Sequence, residues 1–132
     1  MILDHVGIAV SSISEAIAFY KRSLGLEVFS QEEVPSQKVK VAFLKTGESF
    51  LELLESTSPE SVIARFIERR GPGLHHVAFE VSKIENEMER LRKENLPTLE
   101  ASPRIGARGH QVCFLHPRNT LGTLIELVEP HG

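Results

Sequence analysis

The chain repeats itself once, and that repeat restricts its fold more than any other feature of the sequence. Asp4-His5-Val6-Gly7-Ile8-Ala9-Val10 matches His75-His76-Val77-Ala78-Phe79-Glu80-Val81 at an offset of 71 residues. The same offset carries Ile13 onto Ile84, and Val41-Ala42-Phe43-Leu44 onto Val112-Cys113-Phe114-Leu115. Leu51-Glu52-Leu53 matches Ile125-Glu126-Leu127 at an offset of 74, which puts three extra residues in the final turn of the second copy, Arg118 to Thr123.

Each copy reads as a strand, a helix and three more strands. Residues 3–10 alternate with the period of a strand, with Val6, Ile8 and Val10 on one face and His5, Gly7 and Ala9 on the other. A helix follows from about Ser14, which can cap it, and stops at Gly25. Strands are expected over 27–31, 38–45 and 49–54, interrupted by Pro35 and by Thr46-Gly47. A charged helix over 59–70, with Pro59 in its first turn, precedes the separator Gly71-Pro72-Gly73. The second copy predicts a strand over 74–81 and a helix over 83–95, with Ile84, Met88 and Leu91 at helical spacing. Strands near 97–101, 109–115 and 123–128 complete it. The fold class is therefore α+β: two tandem βαβββ modules, about 1–58 and 74–132, joined by helix 59–70 and sharing a mixed, curved, eight-stranded sheet. Neither copy is long enough to bury a good core alone, so 1–132 is expected to be a single domain.

Composition narrows the function classes. The 132 residues are 41% hydrophobic and 25% charged, with a formal charge of −3. That balance gives no sign of general nucleic-acid or membrane binding, and no apolar run reaches membrane-spanning length. The single cysteine, Cys113, excludes an internal disulfide and suits a reducing compartment. The first residues lack the pattern of a secretory signal, so a cytoplasmic location is expected.

Because the chain is duplicated, its matched polar residues are informative. His5 and His76 both stand near the start of a first strand. Glu52 and Glu126 both stand in the middle of an otherwise apolar last strand. A carboxylate facing a core costs several kcal/mol unless it is paired, protonated or bound to a metal. If matched residues meet near a pseudo-twofold axis, two imidazoles and two carboxylates converge. Such a set suits one divalent ion, with cobalt first and manganese, nickel, iron or zinc as alternatives; the lack of thiolates argues against a closed structural zinc site. Gly7, Ala9 and Ala78 leave the floor beside it open. The bland alternative for each residue is a hydrogen-bonded strand histidine or a solvated glutamate. His75 reads as structural and Cys113 as packing. His110, His116 and His131 lack ligand spacing, although His116 can line a pocket mouth.

With those residues in place, the chain resembles the glyoxalase, or vicinal oxygen chelate, superfamily, and within it the methylmalonyl-CoA epimerases. The segments that carry the resemblance are Asp4 to Val10, Glu52 to Pro59, Gly73 to Val81, Ile105-Gly106-Ala107-Arg108-Gly109 and Phe114-Leu115-His116-Pro117-Arg118. The resemblance implies metal ligands at His5, Glu52, His76 and Glu126. It also implies an acyl-CoA substrate whose carboxylate and thioester oxygens chelate the metal, which stabilises an enolate after the C2 proton leaves. Inversion then needs an acid and a base on opposite faces; Glu126 is expected to serve as one and Glu52 as its partner, with Glu80 in reserve. Some family members carry a glutamate in the third strand of the first module where this chain has Val41. Arg104, Arg108 and Arg118, or Lys38 and Lys40, are candidates for the CoA phosphates. By analogy the protein is expected to form a homodimer. Competing expectations are a lactoylglutathione lyase-type isomerase and a non-catalytic small-molecule-binding protein of the same fold.

Overall fold

The computed structural model describes residues 1–131. Its elements are β1 (Ile2–Ala9), α1 (Ile13–Leu24), β2 (Val28–Val34), β3 (Val39–Thr46), β4 (Ser49–Ser56), α2 (Val62–Arg70), β5 (Gly73–Glu80), α3 (Ile84–Lys93), β6 (Arg104–Ile105), β7 (Gln111–Leu115) and β8 (Ile125–Glu129). The eight strands form one mixed sheet in the order β2-β3-β4-β1-β5-β8-β7-β6. The βαβββ order thus occurs twice, with α2 between the two copies.

By backbone contacts the chain divides into two compact units, His5–His75 and Met1–Asp4 with the chain from His76 onward. In the first, β1 runs parallel to β4, and β3 pairs antiparallel with β2 and β4. Ile13, Ala42, Leu44 and Leu53 form its buried cluster, with Ile17 and Tyr20 of α1 packed against them. Helix α1 ends where Gly25 takes a left-handed φ of 70°, with its N–H donated to the Lys21 carbonyl.

In the second unit, β5 runs parallel to β8, and β7 pairs antiparallel with β8 and β6. Ile84, Met88 and Leu91, the three positions spaced for one helix face, pack with Val81, Cys113, Leu115 and Leu127. Each unit therefore carries an apolar cluster of its own between its helix and its strands.

Several boundaries differ from the sequence reading, among them β2, which runs to Val34 rather than residue 31. Helix α1 is capped by Ser12, whose hydroxyl accepts the Glu15 N–H, and not by Ser14. Helix α2 begins at Val62 under a Ser61 cap, so Pro59 lies before its first turn. Residues 97–101 do not form a strand; Thr98 makes only an isolated bridge to Leu115, and the outer strand is the short β6.

Candidate metal centre

Period-2 alternation sends His5, Gly7 and Ala9 to one face of β1. There His5 and Gly7 lie beside Phe50 and Glu52 of β4 in the parallel register. The His5 Nε2 stands 3.2 Å from Glu52 Oε1, and both side chains are buried. On β3, Phe43 is the register partner of Glu52. Its ring meets the His5 imidazole edge to face, with centroids 5.7 Å apart and planes at 88°.

The second unit repeats this arrangement. His76 Nε2 stands 3.0 Å from Glu126 Oε1, again with both side chains buried. Phe114 is the register partner of Glu126 and meets the His76 ring at 5.8 Å and 83°. The phenylalanines restrict how each imidazole can turn. The sequence repeat had matched Phe43 with Phe114 without giving either a role, and the shared offset of 71 was the available signal.

One ligand atom from each of His5, Glu52, His76 and Glu126 lies within 4.8 Å of the other three, and all four residues are buried. Two imidazole nitrogens and two carboxylate oxygens at that spacing fit a divalent metal ion of borderline to hard character. The residue types and their burial are those expected of a chelating set, because buried carboxylates require compensation. Small residues border the pairs, with Ala9 and Ala78 both fully buried.

The remaining candidates have other surroundings. Glu80 is four residues along β5 from His76, roughly 13 Å at strand rise, and faces a surface depression lined by Met1, Ser82, Lys83 and Asn86. Val41, at the position where some family members carry glutamate, is buried opposite Leu54. His75 packs edge to face on Phe66 at 5.0 Å, as a structural residue would. Cys113 is fully buried in the α3 cluster, and desolvation pushes its thiol up to about 12. His116 accepts the Arg118 N–H through Nδ1, capping a short turn, and it lines a pocket with Pro97, Leu99 and Arg118. His110 Nδ1 accepts the His131 backbone N–H at 2.7 Å. Burial, then the Arg108 charge, lowers its pKa from the ordinary 6.5.

Several candidate phosphate-binding cations are already engaged. Arg108 Nη2 donates to Asp4 Oδ2 at 2.6 Å in a largely buried pair. Arg104 binds Glu100 and lies 5.4 Å over the Phe114 ring. Lys38 bonds Glu60 at 2.7 Å, whereas Lys40 is exposed.

Comparison with known proteins agrees with this geometry. A family profile described as the Glyoxalase/Bleomycin resistance protein/Dioxygenase superfamily matches residues 4–114. The uncharacterized protein YqjC of Bacillus subtilis is 43% identical over 98% of this chain and 93% of its own. The ethylmalonyl-CoA/methylmalonyl-CoA epimerase of Cereibacter sphaeroides is 38% identical over 95% of both chains. Among solved structures, a Streptomyces coelicolor methylmalonyl-CoA epimerase variant in complex with 2-nitronate-propionyl-CoA superposes with a TM-score of 0.97 at 33% identity, over 100% of this chain and 99% of that one. By the profile match over most of its length, the chain belongs to the Glyoxalase/Bleomycin resistance protein/Dioxygenase superfamily.

Proposed function

We propose that the protein is a metal-dependent methylmalonyl-CoA epimerase, interconverting the (R) and (S) forms by removing and returning the C2 proton. The observation that carries this reading is the buried set His5, Glu52, His76 and Glu126, two histidine–glutamate pairs at matched positions of a duplicated chain. Full-length similarity to an ethylmalonyl-CoA/methylmalonyl-CoA epimerase supports the choice of substrate.

The four residues are the proposed ligands, and cobalt is the proposed ion, with manganese, nickel or zinc as substitutes. When bound, the ion supplies Lewis acidity to the substrate's carboxylate and thioester oxygens. The chain's own contribution is orientation and proton transfer. Phe43 and Phe114 hold the imidazoles, and burial of the four side chains limits water around the reacting carbon. In one direction Glu126 takes the C2 proton at a carboxylate oxygen, and the C–H electron pair moves toward the thioester carbonyl. Glu52, which must enter the cycle protonated and so released from the ligand set when the two-oxygen substrate binds, then gives its proton to the other face of C2. The roles reverse for the opposite epimer, and exchange with water restores the proton inventory after a one-way turnover.

This reading treats the chain as one domain of two modules, about 1–58 and 74–132 with helix 59–70 between them. It also includes a cytoplasmic homodimer. The reduced, buried Cys113 suits a reducing compartment, and β2 is an outer strand on which Val28 and Phe29 are exposed. Light scattering on the purified protein tests the dimer.

The Glu126→Gln variant tests the catalytic assignment. Loss of a positioned acid–base group lowers turnover by about 10²–10⁴-fold. The variant is expected to bind cobalt more weakly than wild type in calorimetry and, once filled at raised cobalt concentration, to fall at least a hundredfold in epimerisation. Full turnover with metal bound would remove Glu126 from the proposed role.

A further inference from the structure

The last strand of each module carries a second glutamate three residues after the first: Glu55 follows Glu52, and Glu129 follows Glu126. A step of three along a strand reverses the side of the sheet, so each second glutamate points away from its histidine–glutamate pair. On that side the strand meets its module's helix. Glu55 Oε1 accepts the Ile13 backbone N–H at 2.7 Å, and Glu129 Oε1 accepts the Ile84 backbone N–H at 2.8 Å. Ile13 and Ile84 are the first residues of α1 and α3, whose N–H groups have no partner within the helix. A neighbouring backbone bond is repeated as well. The Val10 N–H donates to the Leu54 carbonyl at 2.9 Å, and the Val81 N–H donates to the Val128 carbonyl at 2.8 Å.

Helix capping accounts for each bond locally, because a helix start leaves several N–H groups to be satisfied. In α3 the residue before the helix, Lys83, provides no side-chain cap, and Glu129 takes the Ile84 N–H. In α1 the Ser12 hydroxyl takes the Glu15 N–H, and Glu55 takes the Ile13 N–H that this cap leaves over. What the two modules share is a different consequence. Each ligand-bearing strand is fastened to a helix N-terminus three residues, about 10 Å along the strand, from the carboxylate on its other face.

We propose that Glu55 and Glu129 are positioning residues, each holding its strand so that Glu52 or Glu126 stays aimed at its paired histidine. The proposal rests on the reading of those four residues as metal ligands. Ligand geometry tolerates displacements of only about 0.5 Å; partners bonded directly to ligands contribute about 10–100-fold to metal affinity, and residues acting through the strand are expected at the lower end of that range.

Two readouts test it, in Glu55→Ala, Glu129→Ala and the corresponding glutamine variants. In metal-free protein, Glu55→Ala is expected to move the ring ¹H–¹⁵N resonances of His5 and leave those of His76 in place; Glu129→Ala is expected to do the reverse. By calorimetry each alanine variant is expected to bind cobalt about tenfold or more weakly, and the glutamine variants, which keep an acceptor oxygen, to lose less. A purely structural role would lower stability without this module-specific pattern. Unmoved resonances in a folded alanine variant, or equal movement of both histidines, would overturn the proposal. Should an alanine variant not fold, the glutamine variant decides by the same comparison: its own module's histidine must move and the other must not. If wild-type protein binds no cobalt, the metal reading fails while the histidine resonances still decide the positioning role.

Discussion

At the scale of single residues, the chemistry is carried by side chains that run against their surroundings. Glu52 and Glu126 are carboxylates in apolar strands, and His5 and His76 are imidazoles followed two residues on, on the same face, by Gly7 and Ala78. Those four were legible in the sequence because each breaks a pattern and does so twice. The phenylalanines behind the histidines fit the apolar pattern perfectly and so gave no sign of a special role. Asp4 and Arg108 are 104 positions apart, and no periodicity announces a pair at that separation. His110 allows a test at this scale. Its folded pKa is lowered, chiefly by burial, while Asp4 and Glu80 act weakly in the opposite direction. A depressed histidine binds fewer protons folded than unfolded, so stability is lost as pH falls through 6.5, until the folded form is also protonated. Denaturant melts at pH 7.5 and pH 5 are expected to show a smaller acid loss in His110→Gln than in wild type. Equal acid losses would remove His110 from the account.

At the scale of elements, the order of strands and helices follows from periodicity, but their ends follow from local hydrogen bonds that periodicity does not encode. The segment 97–101 shows how a strand assignment fails. Glu100 Oε1, a side-chain oxygen, accepts the Phe114 N–H at 2.9 Å, and Thr98 turns its hydroxyl onto the Glu100 carbonyl. The segment therefore attaches to β7 without a continuing ladder, and Pro103 precedes the short β6 that does pair. The start of α2 lies later than Pro59 for a related reason. Ser61 accepts the Ala64 N–H at 3.0 Å and donates to Ser56 Oγ at 2.7 Å, so the cap is set by a serine network rather than by Pro59. Ser61 is buried. Loss of a serine cap costs about 0.5–2 kcal/mol. Ser61→Ala is expected to fall in the upper half of that range in urea unfolding, since the bond to Ser56 Oγ is lost with the cap while Ser56 keeps its bonds to Ser58. A change below measurement error would show that the network contributes nothing net.

At the scale of the whole molecule, duplication is what turns ordinary residues into an active-site proposal. One βαβββ module supplies one histidine and one glutamate, which alone is a common hydrogen-bonded pair. Two copies supply four donors, enough to hold a divalent ion and still leave coordination positions for a substrate with two oxygens. Which ion, which acyl group and which assembly are matters of loop chemistry and surface detail that the repeat does not specify. The central claim is C2 proton transfer on methylmalonyl-CoA by this buried set. The most direct measurement is exchange of that proton in deuterated water, comparing cobalt-loaded with chelator-treated protein. Rapid deuterium incorporation at C2 is expected in the loaded protein, with little above the uncatalysed rate after chelation. No incorporation by folded, cobalt-loaded protein would contradict it.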